Sequence, residues 1–198
     1  ETKWEPSIEQ INNAINENTK MIVLNYPNNP TGKIIPDKDM ISIIDIASEH
    51  DLYVLSDEIY VDYYNDNTLG PEKAWWTPYE KTIVTKSFSK SHAMTGFRVG
   101  YVIADPSIIE KMSKLQALSL TNVSEPIQYA ALGALGADTS KNTEIIKSRL
   151  DALVKIAKDI GLEFIEPDGA MYLFAKTKYK NFDATKFSEK LLEHGVAI

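Results

Sequence analysis

Cysteine is absent from the 198 residues, which excludes disulfide bonds, cysteine metal sites and thiol catalysis but leaves the cellular compartment open. No apolar run approaches the ~18 residues of a membrane-spanning helix, so we expect no membrane partner. The net charge of −7 and the lack of a long basic run argue against nucleic-acid binding. The 3 histidines are scattered, so we expect no metal site. With no signal peptide visible, we predict a cytoplasmic protein.

The composition, with 43% hydrophobic and 25% charged residues, is typical of a globular protein. The length suits one sizeable core, or a large domain with part of a second. The chain begins at Glu1 rather than at methionine and stops within an apolar run. We therefore expect it to be a piece of a longer protein.

Short apolar runs alternate with segments of helical periodicity. The runs predict buried strands at 21–24, 52–55, 82–85 and 99–104, and the periodic segments predict helices at 7–17, 36–50, 108–120 and 125–135. Helix 36–50 has Ile41, Ile44 and Ala47 at the spacing of one apolar face. The repeated order of strand, helix and strand predicts an α/β fold with parallel strands and crossover helices.

The pattern changes near residue 140, where the chain passes through Gly133, Gly136 and then the polar stretch Asp138–Asn142. Beyond it we predict a long helix at 143–160, short strands at 163–165 and 171–175, and a helix at 184–194. These features predict a domain boundary, with residues 1–140 in one partial domain and 141–198 in another.

The first candidate site segment is the turn 25–32, which follows a predicted strand. Ligands of open α/β sheets bind beyond the carboxyl ends of the strands. Two prolines and a glycine restrict this turn, so it can hold polar side chains such as Asn29 still. A rigid turn without a ligand is an equal alternative for the segment taken alone.

The second candidate segment is Ser-Asp-Glu-Ile-Tyr at 56–60, which again follows a buried strand. Asp57 would lie where the sheet presents polar groups to a ligand. Taken alone, the segment is better interpreted as a cap in which Asp57 begins a turn or helix. We interpret Glu58 as a structural residue.

The third candidate segment, 85–100, connects two predicted strands and carries hydroxyls, cations and glycines. Hydroxyls such as that of Ser87, together with the guanidinium of Arg98, suit an anionic phosphate. A partly dry lysine such as Lys90 can act as a nucleophilic amine. We expect Lys86 to be solvated. The alternative is an exposed basic loop, which the apolar flanking strands disfavour.

Together, the three segments resemble the fold-type I enzymes that use pyridoxal 5′-phosphate (PLP), in particular the aspartate/aromatic branch of the class I/II aminotransferases. The resemblance rests on Asn-Pro-Thr-Gly at 29–32, on the pair Asp57 and Tyr60, and on Ala-Met-Thr-Gly-Phe-Arg at 93–98. It extends to Gly-Ala-Met-Tyr-Leu-Phe at 169–174, which is similar to a strand of the family's small domain. It implies a mainly parallel sheet with flanking helices in a partial large domain, and part of a small α/β C-terminal domain.

The resemblance also implies roles around the cofactor ring. Lys90 would bond the cofactor and then move a proton during the reaction, and Asp57 would pair with the ring nitrogen. Asn29 and Tyr60 would hydrogen-bond the phenolic oxygen of the ring. The implied catalytic residues are therefore Lys90 and Asp57.

The phosphate of the cofactor would be held by Ser87 and Arg98. The family's glycine-rich phosphate loop, ring-stacking aromatic residue and substrate-carboxylate arginine have no match in this sequence, and we assign none of these roles to Arg149. We expect these groups outside the chain, which would then be inactive alone. The resemblance implies a homodimeric transferase of amino acid metabolism.

The leading hypothesis is an aminotransferase that moves an amino group between an amino acid and a 2-oxo acid, with aspartate or aromatic substrates favoured. A carbon–sulfur lyase or a decarboxylase of the same fold could use the same residues. A different class is a ligand-sensing, aminotransferase-like domain of a transcription regulator. A relic without PLP is disfavoured, because every cofactor group expected in this span is present.

Overall fold

The computed structural model describes residues 3–64, 79–176 and 182–198. The helices in these ranges are α1 (Ile8–Ala14), α2 (Asp37–Glu49), α3 (Pro106–Ser119), α4 (Glu125–Ala134), α5 (Ser140–Asp159) and α6 (Ala184–Glu193). The strands are β1 (Met21–Asn25), β2 (Tyr53–Asp57), β3 (Thr82–Ser87), β4 (Gly100–Ala104), β5 (Glu163–Phe164) and β6 (Ala175–Lys176). Within the same ranges no helix is long and apolar enough to cross a membrane.

The main sheet has the strand order β1-β2-β3-β4. Strands β1, β2 and β3 are parallel, and their register aligns Asn25 with Asp57 and Asp57 with Thr85. Parallel strands end at the same edge of a sheet, so these residues lie side by side beyond the hydrophobic strand interiors. The predicted strand ends thus come together at one edge.

Strand β4 departs from the predicted parallel pairing, because it is antiparallel to β3. A parallel connection needs a crossover of a dozen or more residues, usually a helix. Residues 88–99 contain only one 3-10 turn, Thr95–Phe97, so the chain reverses beside β3. The sheet is therefore mixed, and the loop that carries the third candidate segment lies at its edge.

The core behind β1 and β2 is built by α2. Met40, Ile43 and Ala47 are buried at i, i+3 and i+7 on this helix, whereas Ile41 is 60% exposed. Of the predicted apolar face, Ala47 is buried and Ile44 packs against the same cluster, whereas the prediction for Ile41 is wrong. The buried cluster comprises Leu24, Ile35, Met40, Ile43, Ala47, Leu52 and Val54. Each large side chain buried there stabilises the fold by about 1.5–3 kcal/mol and helps to hold β1 and β2 together.

The C-terminal part contains the long helix α5, which buries Leu150, Val154 and Ala157, and the two-stranded antiparallel sheet of β5 and β6. The strand predicted at 171–175 is wrong, since only Ala175–Lys176 is a strand. Residues 171–174 are irregular, and the segment before them contacts the N-terminal part of the chain. The domain division at residue 140 stays a prediction.

Candidate active site

Two asparagine side chains shape the turn that follows β1. Asn25 Oδ1 accepts a hydrogen bond from the Asn29 amide at 3.1 Å, and Asn25 Nδ2 donates to the Asp57 carbonyl at 3.3 Å. Asn28 Oδ1 accepts from both the backbone amide and the hydroxyl of Thr31, at 3.1 and 2.7 Å. The turn is thereby fixed to the end of β2. Sequence reasoning did not assign Asn25 or Asn28, although both lie in the predicted turn.

Asp57 is the last residue of β2 and is half-buried. Its Oδ1 accepts a hydrogen bond from Thr85 Oγ1 at 3.3 Å on the neighbouring strand. Across residues 3–64, 79–176 and 182–198, this carboxylate forms no salt bridge. It is therefore able to pair with a cationic group of a ligand at the edge of the sheet.

Lys90 lies close to Tyr60. Its Nζ is 5.8 Å from the centroid of the Tyr60 ring, within the range of a cation–π contact. Tyr60 is 4% exposed and Lys90 is half-buried, and the Lys90 amine makes no salt bridge within the described part of the chain. The structure therefore brings a partly dry amine to the buried tyrosine of the second segment.

The Tyr60 hydroxyl is hydrogen-bonded to the Tyr172 hydroxyl. The two rings meet edge to face, with centroids 5.4 Å apart and an interplanar angle of 82°. Asn29 Nδ2 donates to the Tyr172 hydroxyl at 3.3 Å. Burial raises the pKa of the Tyr60 phenol above 10.0, the hydrogen bond with Tyr172 raises it further, and the Asn29 amide lowers it. Tyr60 is therefore a neutral hydrogen-bonding group near neutral pH.

Tyr172 reaches this place because the segment 167–172 is fixed against the turn after β1. The backbone amides of Asp168 and Gly169 donate to the Gly32 carbonyl at 2.8 and 2.9 Å, and Lys33 forms a salt bridge with Asp168. Gly32 has φ +69°, and a Cβ there would lie 2.5 Å from the Pro167 Cβ. Only glycine fits, so the two segments pack in direct contact. Sequence reasoning noted 169–174 as a strand and missed this arrangement.

The loop after β3 is held by its own hydroxyls. Ser87 Oγ lies 2.9 Å from Ser89 Oγ and 3.3 Å from the Val99 carbonyl oxygen. Thr95 Oγ1 donates to the Ser89 carbonyl at 2.9 Å, and Arg98 Nη1 donates to the Thr95 carbonyl at 2.9 Å. Arg98 is exposed and has φ +54°, a backbone conformation that residues other than glycine rarely adopt. Ser87 is thus held next to Val99, the residue that follows Arg98.

Lys86 lies on the other face of β3 from Thr85 and Ser87. Its Nζ is 3.4 Å from Glu58 Oε2, and Ser56 Oγ donates to Glu58 Oε1 at 3.3 Å. The Lys86 side chain is 17% exposed and that of Glu58 is fully buried. The expectation that Lys86 is solvated is therefore wrong, because the alternation of the strand directs it toward Glu58. Lys86 does not share the face that carries the candidate site.

The six predicted site residues form two groups. Asn29 and Lys90 lie around Tyr60, with Asp57 beside them at the end of β2. Ser87 and Arg98 lie at the two ends of the loop that contains Lys90. This arrangement combines a carboxylate, a neutral phenol, an amine, a hydroxyl and a guanidinium. It suits a ligand that has a cationic ring, a phenolic oxygen, a group that reacts with amines and an anionic phosphate.

The chain is similar to proteins of one family. A family model described as "Aminotransferase class I and II" matches residues 1–198. The aspartate aminotransferase of Thermotoga maritima is 34% identical over 190 residues, which are 96% of this chain and 50% of that protein. The asparagine–oxo-acid transaminase of Streptococcus mutans is 38% identical over 210 residues, covering 100% of this chain and 53% of that protein. The chain spans about half the length of the curated relatives it matches.

Solved structures agree with these sequence comparisons. The crystal structure of the T. maritima aspartate aminotransferase has a TM-score of 0.87 with 33% identity, over 96% of this chain and 50% of that one. The Thermus thermophilus aspartate aminotransferase with maleate has a TM-score of 0.88 with 33% identity, over 98% and 52%. The predicted α/β architecture of fold type I is confirmed. The chain belongs to the class I and II aminotransferase family.

Proposed function

We propose that the protein containing this chain is a PLP-dependent aminotransferase that moves an amino group between an amino acid and a 2-oxo acid. Members of the class I and II family use PLP. The observation that carries the proposal is the half-buried Lys90 amine over the ring of Tyr60, whose hydroxyl belongs to a hydrogen-bonded group with Asn29. A partly dry amine beside neutral hydrogen-bonding groups is suited to bonding an aldehyde cofactor.

The ring end of the cofactor fits the residues at the ends of β1 and β2. Asp57, a carboxylate with no salt bridge in the described ranges, would pair with the protonated ring nitrogen. Tyr60 and Asn29 would hydrogen-bond the phenolic oxygen. When bound, the cofactor supplies an electron-accepting ring that makes loss of the substrate's Cα proton feasible. Lys90 would bond the cofactor, and its amine would then carry that proton.

The phosphate end fits Ser87 and Arg98. A charged hydrogen bond from a guanidinium to a phosphate contributes about 1.5–3 kcal/mol. The unusual backbone of Arg98, with φ +54°, supports a functional constraint at this position, because strained residues concentrate at ligand sites. We therefore propose the PLP cofactor together with the residues that would bind it.

Substrate class follows from the relatives. Their names include aspartate aminotransferase, aromatic-amino-acid aminotransferase and asparagine–oxo-acid transaminase. We therefore propose an acidic or aromatic amino acid as the amino donor. A carbon–sulfur lyase or a decarboxylase would show itself by releasing a thiol or carbon dioxide in place of a transaminated product.

A homodimer is part of the proposal. A dianionic phosphate held by one arginine and one serine would be under-neutralised in a partly dry pocket, which is costly. Further donors would then come from elsewhere in the protein or from a second subunit. Sedimentation of the full-length protein tests this directly: a fully active monomer would refute the dimer.

The decisive experiment is to reduce the full-length protein with borohydride and locate the pyridoxyl group by peptide mass spectrometry. We expect the label on Lys90. Lys90→Arg should abolish both label and transaminase activity, whereas the matched variant Lys114→Arg, at an exposed position of α3, should retain both. A label on another lysine with Lys90 unmodified would refute the assignment.

A further inference from the structure

The Tyr172 hydroxyl has no part in the proposed function so far, yet it contacts two of its residues. It is hydrogen-bonded to the Tyr60 hydroxyl and accepts from Asn29 Nδ2 at 3.3 Å. Tyr172 lies 112 residues from Tyr60 and 143 residues from Asn29 along the chain. The three polar groups therefore form one network that joins distant segments.

The direction of donation in this network depends on whether Tyr60 holds a ligand, because either phenol can donate in the hydrogen bond between Tyr60 and Tyr172. An amide NH₂ group can only donate, so the Asn29 amide donates to the Tyr172 oxygen. Without a ligand, Tyr60 can donate to Tyr172, which agrees with its raised pKa. When Tyr60 donates its proton to a ligand instead, Tyr172 can donate its own proton to the Tyr60 oxygen. Each hydrogen bond in such a chain polarises the next, so Tyr60 becomes a stronger donor.

We propose that Tyr172 is a positioning residue: it holds the Tyr60 hydroxyl toward the cofactor and strengthens the hydrogen bond that Tyr60 donates to the phenolic oxygen. The inference rests on the proposed function for the identity of the ligand. The hydrogen bond between Tyr172 and Tyr60 does not depend on that identity.

The packing of both rings supports a positioning role. Tyr60 is 4% exposed, and the edge-to-face contact at 5.4 Å limits how far either ring can rotate. The backbone of Tyr172 packs closely against the turn after β1, since a Cβ built on Gly32 would lie only 3.2 Å from the Tyr172 carbonyl oxygen. Removal of the Tyr172 hydroxyl alone therefore tests the hydrogen bond without removing the ring that packs there.

The test is a pH titration of the absorbance of the cofactor bound to the full-length protein. A hydrogen bond to the phenolic oxygen stabilises its negative charge and so favours the deprotonated form of the bound cofactor. Tyr172→Phe should raise the pH midpoint of the absorbance change by about half to one pKa unit. The control Tyr129→Phe, at a residue of α4 that is 67% exposed, should leave the midpoint unchanged.

A double variant separates this role from a general structural effect. If Tyr172 acts through Tyr60, Tyr60→Phe should raise the midpoint and the addition of Tyr172→Phe should change it no further. A midpoint in Tyr172→Phe equal to that of the unmodified protein would overturn the proposal, and so would additive shifts in the double variant.

A second readout needs no cofactor. In the apoprotein labelled with ¹³Cζ-tyrosine, Tyr172→Phe should move the Tyr60 resonance, while Tyr129→Phe should not. An unmoved Tyr60 resonance overturns the proposal, whatever the cofactor. If the unmodified protein shows no PLP absorbance at all, the proposed function and the tuning role both fail, and the ¹³C shift still decides whether Tyr172 holds the Tyr60 phenol.

Discussion

Gly32→Ala is the sharpest test of how the turn after β1 packs on the segment 167–172. The substitution has two costs, because Gly32 has φ +69° and the added Cβ would lie 2.5 Å from the Pro167 Cβ. The left-handed backbone costs an alanine about 1–2 kcal/mol. The overlap forces a shift of a packed segment, which costs about 1–3 kcal/mol. We expect the unfolding free energy to fall by about 2–5 kcal/mol.

Other glycines of the chain separate the two costs. Gly161 has φ +73° with no atom within 4 Å of an added Cβ, so Gly161→Ala carries only the backbone cost. Gly169 lacks a positive φ, but its Cβ would lie 2.5 Å from the Tyr63 carbonyl oxygen, so Gly169→Ala carries only the overlap. Gly133, inside α4, has neither problem, and Gly133→Ala should stabilise the helix by up to about 1 kcal/mol.

The assay is urea unfolding of the four single variants of the full-length apoprotein, followed by titration with PLP. The loss in Gly32→Ala should equal approximately the sum of the losses in Gly161→Ala and Gly169→Ala. PLP affinity should fall in Gly32→Ala and Gly169→Ala, because both displace the segment that carries Tyr172. If Gly32→Ala were no worse than Gly161→Ala, the contact between the turn and Pro167 would not exist in solution.

Three further predictions concern charged and titratable groups. Asp57→Asn should leave PLP bound yet lower kcat and kcat/KM together by orders of magnitude, and near-normal turnover would refute the ring-nitrogen role. Arg98→Ala should instead mainly weaken PLP affinity, by about 1.5–3 kcal/mol. Lys86→Met should destabilise the fold by about 3–5 kcal/mol at neutral pH, because it leaves the fully buried Glu58 carboxylate without its ion pair. Urea denaturation at neutral pH measures this loss, and a variant as stable as the unmodified protein would contradict the explanation. Burial raises the Tyr60 pKa above 10.0, so the phenol ionises first in the unfolded chain, and the unfolding free energy should fall as the pH rises past 10. Tyr60→Phe should reduce this dependence of the unfolding free energy on pH, measured by alkaline denaturation.

The features that could be predicted from the sequence depend on residues that are close together along the chain. Apolar runs followed by polar turns located β1 and β2 to within two residues at each end, and the order of motifs along the chain indicated the family. The roles of Asp57, Lys90 and the other site residues stay predictions. On α2 the prediction was wrong at Ile41 but not at Ala47, because the adjacent apolar residues Met40 and Ile41 can each begin a stripe at helical spacing. Only packing against β1 and β2 selects between such stripes.

What could not be predicted depends on contacts between distant residues. Tyr172 reaches Tyr60 across 112 residues, and its own neighbourhood resembles an ordinary short strand. The sequence around Lys86 does not show whether this side chain is solvated or buried, since its environment depends on where Glu58 lies after β2. The antiparallel direction of β4 likewise depends on the path of the loop 88–99, which its ordinary composition does not indicate.

The alternation of β3 has a consequence for how this sequence can change by insertion and deletion. Thr85 and Ser87 face the candidate site, and Lys86 between them faces Glu58. One residue inserted within β3 would exchange the two faces, bringing an ammonium group next to Asp57 and turning hydroxyls toward a buried carboxylate. Two inserted residues would restore the faces but shift the pairing with β2. Length variation among descendants of this gene should therefore be tolerated in surface loops and eliminated from this strand.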